Sequence, residues 1–244
     1  MENIEFIYKE GTLPWESHCH PSFEIIAVLE GTITLLSEGK QFSLSSDTII
    51  LIPPLLYHTV TPDRKCVYRR VTVLFDAQAL PTPLSQELAE GCTDIFIFPS
   101  ALPTEMAKTA TGEYYAPLRV AYLTQILYAA IAHSEEKPIQ SEIDRTLGEI
   151  LRDIDEHLEE PLVLSDIAAA TARSTSSLCH LFREKMKISV KQYILEKKLA
   201  LAAKRIRDGV PPTLAASQIG YVNYSNFYRM YRRRFGAPPS QKEK

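Results

Sequence analysis

The chain has 244 residues, 45% of them hydrophobic and 23% charged, and its formal net charge at pH 7 is −3. These totals are typical of a globular protein with one large core or two small ones. They exclude a membrane-spanning protein, because no apolar run reaches the ~18 residues that a transmembrane helix needs. The acidic first ten residues do not resemble a signal peptide, and the four cysteines form no regular framework, so we expect reduced thiols in a cytoplasmic protein without a membrane partner.

The net charge hides a strong asymmetry along the chain. Of the 27 basic and 30 acidic residues, 16 basic and 5 acidic ones lie in residues 161–244. That part therefore carries +11, and residues 1–160 carry −14. Such an asymmetry indicates a polyanionic partner for the basic part, since basic side chains that displace counterions supply most of the non-specific affinity for a DNA duplex. Charge alone also fits a membrane surface or an acidic protein, so the choice depends on the motifs.

Residues 1–80 are predicted to form a small β-structure of the sandwich or barrel type. The stretch FEIIAVLEGTITLLSEG has two apolar runs on either side of a turn at Glu30-Gly31. DTIILIPP and CVYRRVTVLF resemble further short strands, and prolines close the first of them. Short strands separated by turns are typical of such folds.

Residues 81–136 have a different character and are predicted to be mainly helical. Pro81 and Pro83 interrupt the chain, and the apolar residues of APLRVAYLTQILYAAIAHS then recur at helical spacing. The stretch EEKPIQ leads into a predicted linker at residues 137–144. From residue 145 onward the pattern predicts helices only.

Residues 145–244 contain two similar units, each with the pattern of a helix-turn-helix. In the first unit Ser165 and Ser174 are predicted to cap two short helices, and in the second unit Ser225 is predicted to cap the last helix. Both second helices have an apolar stripe at i, i+3, i+4 spacing, with polar or basic residues opposite it. The stripes consist of Leu178, Leu181, Phe182, Phe227, Met230, Tyr231 and Phe235.

A predicted helix, SVKQYILEKKLALAAKRIRDG, separates the two units. A helix of about 20 residues spans roughly 30 Å, which is close to the about 34 Å between successive major-groove faces of B-DNA. The spacing therefore favours two recognition helices in adjacent major grooves on one face of a DNA duplex.

Residues 145–240 resemble the DNA-binding domain of the AraC/XylS family of bacterial transcription regulators. The second unit carries the most specific match, and the first unit and the start of the middle helix match as well. The matching residues are Ile167, Ala168, Ser174, Leu178, Leu181, Phe182, Ser189, Tyr193, Ile219, Gly220, Tyr221, Ser225, Phe227, Arg229, Phe235, Gly236 and Pro239. The sequence departs from the family where Lys187 replaces a glycine and where Pro212 and Ala215 replace larger apolar residues.

The resemblance implies a sequence-specific DNA-binding regulator, an activator by family habit, that binds double-stranded DNA beside RNA polymerase. The residues predicted to face DNA are Ser174, Ser176, Cys179, His180, Arg183, Lys187, Asn223, Ser225, Asn226, Arg229, Arg232 and Arg233. Arg229 is the predicted base contact, because a bidentate arginine–guanine pair is the commonest specific one. The other basic residues are predicted to contact phosphates. The first unit offers a weak hydrogen-bonding set, so we expect it to contribute less to base readout.

Residues 1–80 contain a motif that resembles the cupin barrel, which is also the sensing domain of AraC-type regulators. The residues that carry it are His18, His20, Glu24, Gly31, Pro53 and His58, and the departures from it are Ser46 and Pro62. The resemblance implies a small-molecule effector in the mouth of the barrel. The predicted lining residues are Trp15, His18, His20, Glu24, Tyr57 and His58.

In metal cupins the positions of His18, His20, Glu24 and His58 bind one iron, manganese, zinc or nickel ion. We expect no cofactor here and keep a divalent metal ion as the alternative occupant. Cys19 lies between two of the histidines and is predicted to point to the opposite side of the strand, with a structural role.

The helical segment is predicted to join two copies of the chain, as the corresponding segment usually does in this family. The residues predicted to form this homodimer contact are Leu118, Tyr122, Leu123, Ile126, Leu127 and Ala130. The alternative is that this apolar face packs only against its own barrel. The predicted fold is therefore α+β with two domains: a cupin-like β-barrel with a helical dimerisation segment, and an all-α domain with two helix-turn-helix units joined by a linker helix.

Two other functions fit parts of the sequence. The barrel fits a metal-dependent oxygenase or isomerase, or a metal sensor, fused to a DNA-binding domain. The basic part alone also fits a module that binds RNA or an acidic protein. Since the sequence contains nothing that resembles a nucleophile–base pair or a phosphate-binding glycine loop, we expect a regulator and no enzymatic activity.

Overall fold

The computed structural model describes residues 4–11, 18–63, 67–100, 103–111, 116–133 and 145–239. Three predictions lie outside these ranges: Trp15 as an effector contact, Cys66 as a reduced thiol and the linker at residues 137–144. Within the described ranges, β-strands and a few helices are followed by a part of the chain that contains helices only. The predicted two-domain α+β class is confirmed.

The strands described in the N-terminal half form two antiparallel sheets. Their bounds are β1 (Ile4–Glu10), β2 (Phe23–Glu30), β3 (Thr32–Ser37), β4 (Lys40–Ser45), β5 (Thr48–Ile52), β6 (His58–Pro62), β7 (Arg69–Phe75) and β8 (Phe96–Pro99). The larger sheet has the order β1-β7-β2-β5-β8 and the smaller one the order β4-β3-β6. All neighbouring strands in both sheets run antiparallel.

Side chains from both sheets fill the space between them. The buried aliphatic and aromatic residues of this interior include Ile26, Val28, Ile33, Leu35, Phe42, Leu44, Ile50, Ile52 and Val60. Each contributes about 1.5–3 kcal/mol through burial of apolar surface. Ile25 and Ala27 of β2 point to the other face, into a second core that includes helical residues. Because β2 is buried on both faces, its sequence is a continuous apolar run rather than an alternating one.

The segment predicted as mainly helical contains α1 (Leu84–Gly91), α2 (Pro103–Ala110) and α3 (Ala116–His133), but also the strand β8. β8 pairs with β5 at the edge of the larger sheet, with Ile97 opposite Ile50. The helical prediction is therefore wrong for residues 96–99. A four-residue apolar run such as FIFP has no measurable periodicity, so its pairing partner decides its structure.

α3 covers its own barrel with the face that the sequence predicts to join two copies. Leu123, Ile126, Leu127 and Ala130 are buried in the core on the outer face of the larger sheet. These four residues are therefore not available to a second chain. For them the alternative is correct: they pack against the barrel of their own chain. Periodicity identifies the buried face of a helix but not the chain that covers it. Leu118 remains exposed.

The C-terminal domain consists of helices arranged around the longest one of the domain. Their bounds are α4 (Arg145–Glu156), α5 (Leu164–Ala170), α6 (Thr175–Met186), α7 (Val190–Arg207), α8 (Pro212–Gln218) and α9 (Tyr224–Phe235). α4, α5 and α6 share one core with α7, and α8 and α9 share a second core with it, centred nearer its end. α7 is therefore the linker helix of the prediction and holds one helix-turn-helix unit in each core.

The two units use the same turn between their helices. In the first, Ala172 has φ 52°, and in the second Gly220 has φ 83°. The N–H groups of both residues donate to the carbonyl three residues earlier, and those of the next residues donate to the carbonyl five residues earlier. This pattern satisfies the last carbonyls of α5 and α8 and requires a left-handed residue after each helix. The predicted duplication of the unit is confirmed by its backbone geometry.

One of the three predicted helix caps in these units is correct. The Ser174 hydroxyl accepts a hydrogen bond of 3.2 Å from the main-chain N–H three residues later, as an N-cap does. The caps predicted at Ser165 and Ser225 are wrong. α5 begins two residues earlier than a cap at Ser165 implies, after Val163. α9 begins after Asn223, whose side chain accepts the capping bond at 3.2 Å; asparagine and serine are equally good caps, so the geometry of the turn decides.

The shared turn predicts opposite effects of exchanging alanine and glycine. Ala172→Gly should raise the free energy of unfolding by about 0.5–1 kcal/mol, because a left-handed alanine is strained and glycine is not. Gly220→Ala should lower it by about 1–2 kcal/mol, and its added Cβ would also lie 3.3 Å from the Lys198 Nζ. Urea and thermal unfolding of the full-length chain measure both changes.

Ala169→Gly, within α5, is the matched control for Ala172→Gly. It should destabilise the protein by about 0.5–1 kcal/mol, as glycine does in an ordinary helical position. If Ala172→Gly destabilised the protein to the same extent, the left-handed turn would be contradicted.

Candidate nucleic-acid interface and histidine cluster

α6 presents a polar face on the side opposite to its buried residues Leu178 and Phe182. The exposed or half-exposed residues of the polar face are Ser176, Cys179, His180, Arg183 and Lys187. A carboxylate of the same helix, Glu184, lies 3.9 Å from the His180 ring nitrogen. Because this acidic group offsets part of the positive charge, α6 is the weaker of the two candidate DNA-binding surfaces.

α9 presents a more basic face opposite the buried Phe227 and Tyr231. The exposed residues of this face are Ser225, Asn226, Arg229, Arg232 and Arg233. The Arg229 guanidinium donates a hydrogen bond to the side-chain oxygen of Asn226, one turn earlier. This contact orients the guanidinium at the surface of the helix. The structure thus brings the predicted residues of α9 onto one face with three arginines.

Other basic side chains of this domain are engaged within the protein. Lys197, Lys198, Arg205, Arg207 and Arg234 all make hydrogen bonds or ion pairs with other parts of the chain. In contrast, the described residues place no carboxylate within salt-bridge distance of Arg229, Arg232 or Arg233. Several basic residues of the domain therefore hold the fold, and these three arginines of α9 are among those that remain available.

Lys187, the departure from the family pattern, ends α6 in the left-handed conformation with φ 61°. A glycine adopts this conformation without strain, which explains why the family uses one there. The Lys187 ammonium donates to the main-chain carbonyl of Glu184 at 2.7 Å. The lysine thus adds a positive charge at the end of the recognition helix at the expense of local backbone strain.

The four residues of the cupin-like motif come together where β2 and β6 begin. His18, His20, Glu24 and His58 each offer one donor atom, and these atoms all lie within 4.8 Å of one another. Glu24 and His58 are buried, and the two other histidines are half-buried. The main-chain groups of His18 and His58 exchange two hydrogen bonds of 3.0 Å, which fixes the two segments side by side.

Glu24 is the centre of this cluster. One oxygen of its carboxylate lies 2.9 Å from His20 Nε2 and 3.0 Å from His58 Nε2. Burial alone would raise the pKa of Glu24, but the contacts with the two imidazoles hold this pKa well below its ordinary value. The carboxylate is therefore ionised inside the protein. The other ring nitrogens, Nδ1 of His20 and of His58, each lie 2.9 Å from a main-chain carbonyl oxygen.

A buried arginine in the barrel interior was not predicted from the sequence. Arg70 of β7 is fully buried, and its Nη1 lies 3.5 Å from the Tyr68 hydroxyl. Burial lowers the pKa of Arg70, and Tyr68 and Glu24 counteract that effect. The barrel interior therefore holds a buried guanidinium whose charge is favoured by Glu24, which the alternating pattern of a strand alone does not reveal.

Cys19 and Tyr57 lie beside the cluster but face away from it. Both are buried in the core formed by α4, α5, α6 and α7 of the C-terminal domain. The Tyr57 ring packs edge-on against the Tyr193 ring of α7 at 5.4 Å. The prediction that Cys19 points away from its histidine neighbours is confirmed. The structure places Tyr57 in the contact between the domains, apart from the other residues predicted to bind an effector.

A buried ionic contact joins the barrel to α7. Glu38, between β3 and β4, accepts a hydrogen bond of 2.6 Å from the Tyr193 hydroxyl and one of 3.3 Å from the Lys197 ammonium. Lys197 also lies 2.9 Å from a carboxylate oxygen of Asp155 in the α4 part of the domain. Burial alone would lower the pKa of Lys197, but the two carboxylates raise it above its ordinary value. The lysine is therefore charged and neutralised within the contact.

Two arginines extend this contact to the segment that carries the cluster. Arg207, the last residue of α7, donates to the Pro21 carbonyl at 2.6 Å and to the Ser22 hydroxyl at 2.8 Å. Arg234 of α9 donates to the Cys19 carbonyl at 3.1 Å. Sequence reasoning missed these residues, because nothing local in the sequence specifies partners more than 180 positions away.

A cleft of about 1040 Å³ opens between the two domains. Pro53, Leu56 and Asp76 line it from the barrel, and Asp155 and Arg207 line it from the C-terminal domain. Because apolar side chains fill the barrel interior, this cleft offers room for a small organic molecule beside the domain contact.

Among the helices in the described part of the chain, none is both long and apolar enough to cross a membrane. Two protein-family models match the chain: an AraC-like ligand binding domain over residues 3–151 and a helix-turn-helix domain over residues 167–244. The chain belongs to the AraC family of transcriptional regulators. Its two parts are the ligand-binding domain and the helix-turn-helix DNA-binding domain of that family.

Several relatives of this AraC-family chain are themselves named as regulators. Regulatory protein SoxS of Escherichia coli (strain K12) is 31% identical over 97 residues, which are 39% of this chain and 91% of SoxS. The uncharacterized HTH-type transcriptional regulator YobQ of Bacillus subtilis (strain 168) is 24% identical over 252 aligned positions, covering 98% of this chain and 94% of YobQ. Among solved structures, unsaturated fatty acid-bound ToxT from Vibrio cholerae has a TM-score of 0.47 and 11% identity, covering 98% of this chain and 92% of ToxT.

The buried contact between Glu38 and α7 predicts coupled losses of stability. Tyr193→Phe should cost about 1.5–3 kcal/mol, because it removes a hydrogen bond to a charged group. Glu38→Gln should cost about 1–3 kcal/mol, since Lys197 keeps one carboxylate partner. In the double variant the two losses should fall short of their sum by about 0.5–3 kcal/mol. Urea unfolding of the four proteins measures this coupling.

Glu30→Gln is the matched control, because it removes one carboxylate from an exposed ion pair with Arg69 on the surface of the barrel. It should leave the unfolding midpoint unchanged. Additive losses in the double variant would contradict a direct contact between Glu38 and Tyr193.

Proposed function

We propose that α6 and α9 bind adjacent major grooves of one operator, that α9 performs most of the base readout, and that a small ligand beside the domain contact controls this binding. The observation that carries the proposal is the exposed row of Arg229, Arg232 and Arg233 on α9, in a domain whose other basic residues are largely engaged within the protein. Arginine is the residue that reads guanine most often, and neighbouring arginines neutralise phosphates.

The dimensions of α7 support the use of both units on one duplex. α7 has 18 residues, and a helix of that length spans about 27 Å. The two units pack in separate cores along it. The rise between successive major grooves is about 34 Å, so recognition helices held near the two ends of such a rod suit adjacent grooves on one face of the DNA.

The two capping residues have a supporting part in this proposal. The side chains of Ser174 and Asn223 already accept hydrogen bonds from the first turns of α6 and α9. They therefore hold the N-termini of both helices in place, where main-chain N–H groups favour a phosphate. Arg183 and Lys187 at the end of α6 add phosphate contacts, whereas Ser176, Cys179 and His180 give that helix a smaller share of base readout.

The mode of regulation that we propose for this chain is the one its family implies. We propose a cytoplasmic regulator that activates transcription beside RNA polymerase and responds to a small ligand held by the ligand-binding domain. The ligand position that the geometry favours is the region of His18, His20, Glu24 and His58 together with the adjoining cleft, because both border the contact with α7.

We also propose a homodimer that uses the outer face of α3. Leu118 is 42% exposed and Tyr128 is 52% exposed, and both lie on the side of α3 that faces away from the barrel. Tyr122, which is half-buried, lies one turn after Leu118 on the same side. Exposed apolar side chains at helical spacing suit a contact between two copies of the helix.

Removal of the Arg229 side chain tests the base readout. Arg229→Ala should weaken binding of the full-length chain to a selected operator duplex by about 5- to 150-fold, equivalent to a lost bidentate base contact of about 1–3 kcal/mol. Binding to a scrambled duplex should change much less. Fluorescence anisotropy with both duplexes at one salt concentration measures the difference.

Arg205→Ala is the matched control, because it removes the same charge from α7, where Arg205 pairs with Glu159. It should leave the preference for the operator unchanged. Arg232→Ala should weaken binding to both duplexes alike and reduce the slope of log K against log salt by about 0.9. The readout role of α9 would be refuted if Arg229→Ala and Arg205→Ala weakened operator binding equally.

The outer face of α3 predicts the effect of a charge on self-association. Tyr128→Glu should shift the full-length chain from dimer to monomer, because it places a carboxylate within a proposed apolar contact. Sedimentation velocity measures the change. Glu87→Gln, on the exposed side of α1, is the control and should leave the dimer intact; an unaltered dimer of Tyr128→Glu would remove α3 from the contact.

A further inference from the structure

We propose that His18, His20, Glu24 and His58 bind one divalent transition-metal ion, and that this ion fixes the contact between the ligand-binding domain and the DNA-binding domain. The proposal rests on the proposed function and deepens it, since it names the chemical class of the controlling ligand. It also names the path by which the ligand acts on α9.

The ring nitrogens of two histidines already have the arrangement of metal ligands. Nδ1 of His20 and Nδ1 of His58 each lie 2.9 Å from a main-chain carbonyl oxygen, which only accepts hydrogen bonds. The other ring nitrogen of each histidine, Nε2, faces the Glu24 carboxylate, at 2.9 Å for His20 and 3.0 Å for His58, so these two nitrogens are turned toward the centre of the cluster. Metal-bound histidines show this same second hydrogen bond to a carbonyl.

The donor set also fits one ion in size and in chemistry. Ligands of one tetrahedral ion lie about 3–4 Å apart when each bond is about 2.0–2.2 Å long. Glu24 lies 2.9 Å from His20 and 3.0 Å from His58, and the four donors all lie within 4.8 Å, so small side-chain movements complete the site. Three imidazoles and one carboxylate favour zinc, iron, manganese, cobalt or nickel over magnesium and calcium, which prefer oxygen ligands alone.

The segments that carry these ligands also carry the contact with the DNA-binding domain. Cys19 lies between two ligands, and its carbonyl accepts a hydrogen bond of 3.1 Å from Arg234 of α9. Tyr57, next to the ligand His58, packs against Tyr193 of α7. Because side chains alternate along an extended segment, successive residues face the cluster and the other domain in turn.

One more contact ties the first ligand segment to the end of α7. Arg207 bonds to Pro21 and Ser22, the two residues that follow His20. An ion that draws His18, His20 and His58 together therefore moves or locks the partners of α7 and of α9. In this structure the two domains are in contact and the four ligands already lie close together, so the ion stabilises this arrangement of the domains. Operator DNA binds the arrangements of the domains with different affinities in this proposal. Metal and DNA then change each other's affinity by the same factor.

Cobalt binding to the full-length protein tests the metal site. After treatment with chelator, the chain should bind one equivalent of Co²⁺ with a visible absorption band of a nitrogen-ligated ion. His58→Ala and Glu24→Gln should each weaken Co²⁺ binding by at least about 100-fold. This loss is larger than that expected when a residue that only hydrogen-bonds to a metal ligand is removed. His157→Ala, which removes a histidine outside the cluster, should bind as the unaltered chain does. Both cluster variants should keep the circular dichroism of the unaltered chain without metal.

Hydrogen exchange tests the path to α7. Co²⁺ should slow amide exchange at residues 19–22 and along α7 in the unaltered chain. Arg207→Ala should keep its Co²⁺ affinity within about threefold but show less slowing of exchange along α7, because its bonds to Pro21 and Ser22 and its ion pair with Asp76 are gone. Affinity for the operator duplex should change by at least about 5-fold on metal addition, in the range of known couplings.

The outcomes separate a failure of this inference from a failure of the proposed function. Absence of one-equivalent Co²⁺ binding, or binding unaffected by the cluster variants, would overturn the metal site even if DNA binding is normal. Metal binding without any change in exchange along α7 would overturn the coupling. If the chain bound no DNA duplex with or without metal, the proposed function would fail, while the cobalt and exchange results would still decide the metal site and its coupling.

Discussion

Three consecutive charged residues in the middle of α7, Glu196, Lys197 and Lys198, are buried, and the arrangement of the chain depends on how each one is compensated. Removal of one partner from a buried ion pair costs about 3–5 kcal/mol, so every one of these groups requires a fixed partner. Glu196 is bonded to α9, Lys197 to the barrel and to α4, and Lys198 to main-chain carbonyls after α8 and before α5. One turn of helix therefore positions both DNA-binding units and the barrel relative to one another.

The parts of the fold that depend on local spacing were predictable from the sequence. The two helix-turn-helix units follow from their apolar stripes, from the cap at Ser174 and from the length of the helix between them. The histidine cluster follows from residues within two short motifs. The direction of Cys19 follows from the alternation of a strand. In each case the relevant distances in the sequence are short, and the backbone geometry of a helix or strand converts them directly into positions in space.

The parts that depend on distant partners were not predictable. The apolar face of α3 is correctly identified by its period, but only the structure shows that residues such as Leu127 pack against the own barrel. Glu38 is unremarkable in a turn between two strands, yet it neutralises a lysine 159 positions away. The buried charges of α7 are partly visible in the sequence. The helix carries charged residues on several sides, and because two apolar cores cover it, some of these charges are buried and require partners. This pattern indicates the need for partners but not their identity.

The two DNA-binding units are connected to the barrel in different ways, and this difference bears on regulation. α6 reaches the barrel through packing, where Phe182 contacts Tyr193, which in turn contacts Tyr57. α9 carries Arg234, which is bonded both to Glu196 and to the main chain between two histidines of the cluster. The proposed readout arginines precede Arg234 on the same helix, so a movement of the cluster segment acts first on the unit with most of the available positive charge. A ligand can change operator affinity by no more than the free energy that the affected unit contributes to DNA binding. A ligand that acts on the unit of α9 can therefore change operator affinity more than one that acts on the unit of α6. In the proposed mechanism, the asymmetry between α6 and α9 lets the contact at the Cys19 carbonyl act on the unit that carries most of the available positive charge.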